Sequence, residues 1–133
     1  MITSEIIRIA LNTKNVGLKK KYNFKSNLKN FMCGDKIELE LIVKNSKINS
    51  MKYETESCIY CEASASLLAT KIKNLDLTTA INELNLLKRV IKNEKLTFPR
   101  HFKDFKILIN KSNFNRIKCI NLPFDAVLKA LKG

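Results

Sequence analysis

Four cysteines and one aspartate hold most of the chemistry this sequence can offer. Cys58 and Cys61 stand in Ser57-Cys58-Ile59-Tyr60-Cys61-Glu62, at the mouth of a predicted helix. Cys33 lies upstream in Met32-Cys33-Gly34-Asp35, and Cys119 downstream in Arg116-Ile117-Lys118-Cys119. Thiolates are soft ligands suited to zinc or to iron in clusters, and a carboxylate can complete a zinc site. Cys33, Asp35, Cys58 and Cys119 therefore form a candidate tetrahedral metal site. Gly34 lets the backbone turn tightly between Cys33 and Asp35. Helix N-termini predicted at Cys58 and Cys119 favour thiolate over thiol, and the cations of Arg116 and Lys118 add to that effect at Cys119. The competing reading is four unrelated core cysteines, because free cysteine is among the most buried residue types.

Cys58-x-x-Cys61 at a helix start also has the spacing of a thiol–disulfide redox motif. The βαβ context of such motifs is missing. Cys61 shares one helical face with Ala65, Leu68 and Ile72, which makes it first a core residue. Its sharper alternative is a fifth site residue, one turn from Cys58. His101 is the only histidine and reads as a surface residue beside Pro99. The chain has no Gly-rich phosphate loop, no nucleophile elbow and no His-Glu-x-x-His pattern.

The elements that must bring these residues together follow from periodicity. Met1 to Leu11 is a predicted helix, capped by Thr3 or Ser4, with Ile2, Ile6, Ile9 and Ala10 as its stripe. Tyr22 to Phe24 is a predicted edge strand. Lys36 to Lys44 alternates as a strand, Asn45-Ser46-Lys47 turns, and Ile48 to Glu56 returns. This antiparallel hairpin sets its two outer ends side by side, so it alone draws Cys33 and Asp35 toward Cys58. A helix from Ile59 to Lys73 follows, then one capped by Asp76 and running to Asn93. Lys103 to Ile109 is a short helix around Phe102, Phe105, Leu108 and Ile109, and Phe114 to Lys118 is extended or turn. The last helix is predicted over Asn121 to Lys132, with Pro123 in its first turn. The fold class is thus α+β: a small antiparallel sheet packed by N-terminal, central and C-terminal helices.

The 133 residues suit one domain with one core, and 45% hydrophobic residues can bury it without disulfides. No apolar run is long enough to span a membrane and no leader pattern is visible, so a cytoplasmic location with reduced thiols is expected. The net charge of +13 favours an anionic partner such as an acidic protein. Lysines are scattered rather than clustered, apart from Lys19-Lys20-Lys21, and no aromatic-and-basic recognition pattern is present. Nucleic acid is not the expected partner.

Taken in order, these motifs are specific. Asn12-Thr13-Lys14-Asn15-Val16-Gly17 is similar to an Asn-Pro-basic-Asn-x-Gly segment, with Thr13 for the proline. Cys33-Gly34-Asp35 before a strand, Cys58 before Ala63-Ser64-Ala65-Ser66, and Arg116-Ile117-Lys118-Cys119 before Leu122-Pro123 complete the series. With them the chain resembles the NifU/IscU/SufU-type iron–sulfur cluster assembly proteins over nearly all of residues 1–133, as one NifU N-terminal-like domain. Lys118 replaces the histidine of IscU-like scaffolds, and the long link filled by Glu94 to Asn115 looks like the SufU type.

That resemblance implies a zinc site on Cys33, Asp35, Cys58 and Cys119, with Gly34, Cys61, Arg116 and Lys118 around it. It implies that Cys33 accepts persulfide sulfur from a SufS-like pyridoxal-phosphate cysteine desulfurase. The sulfur would then pass to a downstream Suf-type cluster scaffold. The alternative within the family is a scaffold that itself holds iron or a transient [2Fe–2S] cluster, with Cys119 as sulfur acceptor. A reading of another class, a thiol redox or basic nucleic-acid-binding module, requires the spacing of Cys33 and Cys119 to be accidental.

Overall fold

A computed structural model describes residues 2–93 and 95–132. Met1, Glu94 and Gly133, which bound the predicted first helix, the 94–115 segment and the domain, lie outside the described residues. Helix α1 spans Ser4–Ala10, and the Thr3 hydroxyl caps it by accepting from the Ile6 N–H at 3.2 Å. Ile6 and Ile9 are buried, whereas Ile2 is exposed.

Three strands follow: β1 (Phe24–Lys29), β2 (Lys36–Lys44) and β3 (Lys47–Glu56). They form one antiparallel sheet in the order β1-β2-β3. The edge strand thus starts where the sequence placed its end. It is held by the ladder from Phe24↔Leu41 to Lys29↔Lys36 rather than by an apolar pattern of its own. Asn45 and Ser46 both take left-handed φ, 53° and 63°, the geometry of a tight two-residue hairpin. β2 and β3 pair out to Lys36↔Glu56, and this open end of the hairpin faces the cysteines. The outer edge of β3 is covered in part by the 12–17 segment. Gly17 N–H donates to the Tyr53 carbonyl at 2.8 Å, and Tyr53 N–H donates to the Asn15 carbonyl at 3.2 Å.

Helix α2 (Ile59–Lys71) is the centre of the molecule. Its apolar stripe was expected on one face, but Ala63, Ser64, Ala65 and Ser66 are all buried in succession. The helix packs against α1, α4 and β3 at once. Small side chains are what allow that closeness. Helix α3 (Leu77–Lys92) begins at Asp76, whose side chain makes no capping bond.

Residues 100–116 depart from the expected pattern. Two 3₁₀ segments, Arg100–Ile107 and Lys111–Arg116, replace the predicted helix over 103–109 and the extended 114–118. Phe102 and Phe105 are buried there. The Phe105 ring meets Phe124 edge-on, with centroids 5.0 Å apart. Helix α4 runs over Ile117–Lys132, starting four residues before the predicted Asn121. Pro123 consequently sits inside the helix and not in its first turn. It cannot donate to the Cys119 carbonyl four residues back. Burial of Cys119, Ile120 and Leu122 in this first stretch outweighs the lost bond.

Candidate metal centre

The hairpin end, the start of α2 and the start of α4 converge on one spot. The ligand atoms of Cys33, Asp35 and Cys119 all lie within 4.8 Å of one another. Cys33 Sγ is 3.6 Å from Cys119 Sγ. Cys58 joins through Asp35: its N–H donates to Asp35 Oδ1 at 3.1 Å, and its Sγ lies 3.5 Å from Oδ2. All four residues read from the sequence as ligands therefore meet.

Each is held by its element. The loop from Asn30 to Asp35 closes on itself: Gly34 N–H donates to the Asn30 carbonyl, and Asn30 N–H to the Asp35 carbonyl, each at 2.7 Å. Gly34 has φ +78°, a conformation side chains resist. Asp35 is 4% exposed at the start of the sheet, and no lysine or arginine among the described residues forms an ion pair with it. Cys58 occupies the N-cap position of α2 but caps nothing with its sulfur. Cys119 lies in the first turn of α4 and is buried, while Cys33 is exposed.

The electrostatics correct one expectation. Burial, then the hydrogen bond to Asp35 and those to Cys33 and Cys58, push the Cys119 thiol far above its ordinary range. Its place in the first turn of α4 does not offset this. Arg116 and Lys118 are both exposed. The Arg116 guanidinium lies over the Tyr60 ring at 5.7 Å. A buried carboxylate without a cation, ringed by thiols, is an environment in which a metal ion would reverse the balance.

Cys61 is not part of the cluster of three. It is fully buried in the core. Burial pushes its thiol up to about 12, with Ser57 opposing and Asp35, Cys58 and Cys33 adding. Such a thiol is a poor partner in a Cys58-x-x-Cys61 redox pair. His101 is a surface residue as read, although it has an acid partner that the sequence did not show: its Nδ1 lies 2.6 Å from Glu83 Oε2.

Sequence reasoning also missed what surrounds the thiols. Phe31 is 87% exposed, Met32 80% and Phe114 74%, more than ordinary surface packing leaves uncovered. A groove of about 840 Å³ opens beside Cys33 and Cys119, lined by Met32, Phe114, Lys92, Arg116 and Lys118 among others. Phe31-Met32 beside Cys33 was the available signal, since two large apolar residues in a polar loop are a marker for contact.

The same architecture exists elsewhere. The model of the NifU-like N terminal domain matches residues 1–131. The chain belongs to this family. Among NifU-like relatives, it is 29% identical over 105 residues to the zinc-dependent sulfurtransferase SufU of Bacillus subtilis, covering 78% of this chain and 71% of that one. It is 27% identical, again over 105 residues, to the iron–sulfur cluster assembly scaffold protein IscU of Thermotoga maritima, covering 78% and 73%. The crystal structure of a NifU-like protein (N-terminal) from Brucella abortus superposes with a TM-score of 0.88 at 18% identity, over 98% of this chain and 91% of that one. That likeness establishes the α+β fold of the family. No helix among the described residues is long and apolar enough to cross a membrane.

Proposed function

We propose that this NifU-like chain accepts sulfur from a cysteine desulfurase and passes it on in iron–sulfur cluster assembly, with Cys33 as the receiving thiol. The observation that carries the reading is the asymmetry of the cluster. Asp35 and Cys119 are buried and Cys58 is half-buried, and one thiol, Cys33, faces solvent. Only an exposed sulfur can meet a sulfur held on another protein.

The donor set fits zinc. Three thiols and one carboxylate are a recognised tetrahedral combination. Asp35, buried and in no ion pair with a lysine or arginine among the described residues, offers a carboxylate oxygen to a cation. Cys33, Asp35, Cys58 and Cys119 would hold the ion, and zinc, when bound, keeps thiolates deprotonated without redox chemistry of its own. The similarity to a zinc-dependent sulfurtransferase supports the same choice.

The work of the chain's own residues is simple. Asp35 fixes the start of α2 by accepting from Cys58 N–H. Cys33 attacks, as a thiolate, the terminal sulfur of the persulfide carried by the donor enzyme. The bond between that sulfur and the donor's cysteine breaks, and the donor leaves as a thiolate. A pyridoxal-phosphate desulfurase is the chemistry that supplies such a persulfide, and a Suf-type scaffold is the acceptor that consumes it. A cytoplasmic setting keeps the thiols reduced.

A second reading is a scaffold for a transient [2Fe–2S] cluster. The likeness to IscU favours it, and so does Asp35, since a carboxylate in place of a fourth cysteine suits a labile cluster. Elemental analysis and an absorption spectrum of the anaerobically purified protein separate the two. One zinc per chain and no colour supports sulfur transfer, with stimulation of a cysteine desulfurase as the next assay. Iron with acid-labile sulfide and visible absorbance would replace that reading with the scaffold.

A further inference from the structure

A sulfur atom delivered to Cys33 still has to be made into sulfide before iron can use it. We propose that Cys119 is the resolving thiol: it attacks the Cys33 persulfide at its inner sulfur and discharges hydrosulfide into the cationic groove beside the site. The inference rests on Cys33 being the receiving thiol.

Three observations point this way. First, Cys119 Sγ lies 3.6 Å from Cys33 Sγ, close to the separation of a near-attack arrangement. The atom within reach is the one bonded to the Cys33 carbon, which becomes the inner sulfur once a second sulfur is attached. Second, Cys33 is exposed and Cys119 is buried, so the donor meets Cys33 first and Cys119 can act only afterwards. Cys61, the other candidate, is fully buried within α2 and lies outside the cluster of Cys33, Asp35 and Cys119. Third, the groove next to both thiols has room for an extra sulfur atom. Its charged side chains among the described residues are all cationic: Lys88, Lys92, Arg116 and Lys118. Lys88 is already paired with Asp125. The other three stabilise both a persulfide anion and departing hydrosulfide.

The step balances without a further reactant. The Cys33 persulfide, protonated on its outer sulfur, and the Cys119 thiolate become a Cys33–Cys119 disulfide and hydrosulfide. The bond between Cys33 Sγ and the added sulfur breaks, and its electron pair leaves with that sulfur. A bond forms between Cys119 Sγ and Cys33 Sγ, and the added sulfur departs with the proton it carries. The added sulfur is reduced and the Cys119 sulfur is oxidised, while the Cys33 sulfur stays at the disulfide level. A dithiol reductant then reopens the disulfide for the next turnover.

The test uses the metal-bound full chain. Sulfur is loaded in two ways, by a cysteine desulfurase with cysteine and by inorganic polysulfide, and the excess is removed. Intact mass and free sulfide are then followed in the absence of thiols. The expected course is a species one sulfur heavier that converts to one two hydrogens lighter than the starting protein, with one equivalent of sulfide. Peptide mapping should join the Cys33 peptide to the Cys119 peptide. Cys119→Ser should retain the persulfide and release none, whereas Cys61→Ser should behave as wild type. The mapping needs no variant, so a misfolded Cys119→Ser does not blunt the test. A wild-type persulfide that survives on Cys33, moves whole to Cys119 or ends in a bridge to Cys61 overturns the resolving role and leaves Cys33 as acceptor. If neither donor places sulfur on Cys33, the acceptor reading falls and the resolving role falls with it.

Discussion

At the scale of single residues, the proposed site divides between four candidate metal ligands and one thiol that only borders them. Cys33, Asp35 and Cys119 bring their ligand atoms within 4.8 Å, and Cys58 is tied to Asp35 twice. Replacing any of the four with alanine should lower metal content at least tenfold after dialysis against a weak chelator, read by elemental analysis. Cys61→Ser should retain the metal. Loss of metal from Cys61→Ser alone would mean that the ligand set is wrongly drawn. Cys61 makes a second, independent prediction. Its folded thiol is pushed up to about 12 from an ordinary 9.0, chiefly by burial. Between those values the unfolded thiol releases its proton while the folded one keeps it. The native state then binds more protons, so stability falls as pH rises, by up to about 1.4 kcal/mol per pH unit. Urea midpoints of the wild type should therefore drop more steeply above pH 9 than those of Cys61→Ala. Parallel slopes would show that Cys61 is more solvated than its place in the core implies.

At the scale of elements, the site depends on how closely α2 and α4 approach. Ser64 on α2 is fully buried and donates from Oγ to the Ile120 carbonyl of α4 at 2.6 Å. Ser64→Val removes that bond and adds volume where two backbones meet. It should destabilise by about 2–4 kcal/mol in urea unfolding. A change below about 1 kcal/mol would mean that the helices can separate without cost. Much of this arrangement is legible in the sequence. Alternation from Lys36 to Leu41 and the Asn45-Ser46 turn define the hairpin, and the hairpin alone predicts that Cys33, Asp35 and Cys58 meet. The start of α4 was not legible, because Pro123 marks the first turn of a helix by local rule. Tertiary burial of Cys119 and Ile120 carries the helix back to Ile117 past that rule. Nor was the state of the Cys119 thiol. A helix start and two neighbouring cations argue for thiolate. Only the fold shows that Cys119 is buried with Asp35 beside its sulfur. Periodicity reports which residues are near in the chain's own element, and a carboxylate brought in by another element is invisible to it.

At the scale of the whole molecule, the question is what the surface around the thiols is for. The chain carries a net charge of +13, yet its charge is not evenly spread. Glu38, Glu54, Glu56 and Glu62 line a groove on the β2–β3 side. The groove at the thiols is lined instead by cations, with Phe114 and Met32 standing exposed at its edge. An acidic surface on the sulfur donor, with an apolar residue at its centre, is the complement of that groove. Lys92 and Phe114 stand outside the set of metal ligands, so they can be changed without touching the metal. Lys92→Glu should raise the concentration of this chain needed for half-maximal stimulation of a cysteine desulfurase. The rise should be roughly fivefold, about 1 kcal/mol for reversing one rim charge. The difference from wild type should shrink as salt is added, because rim charges act largely through encounter and are screened within about 8 Å at physiological ionic strength. Phe114→Ser should raise the same concentration with little salt dependence, since it removes apolar area rather than charge. Zinc content should be unchanged in both variants, and maximal stimulation should be unchanged in Phe114→Ser. If both variants titrate as wild type at low and high salt, the donor approaches Cys33 from the opposite side, across the β2–β3 edge. The exposed phenylalanine would then need another partner to account for it.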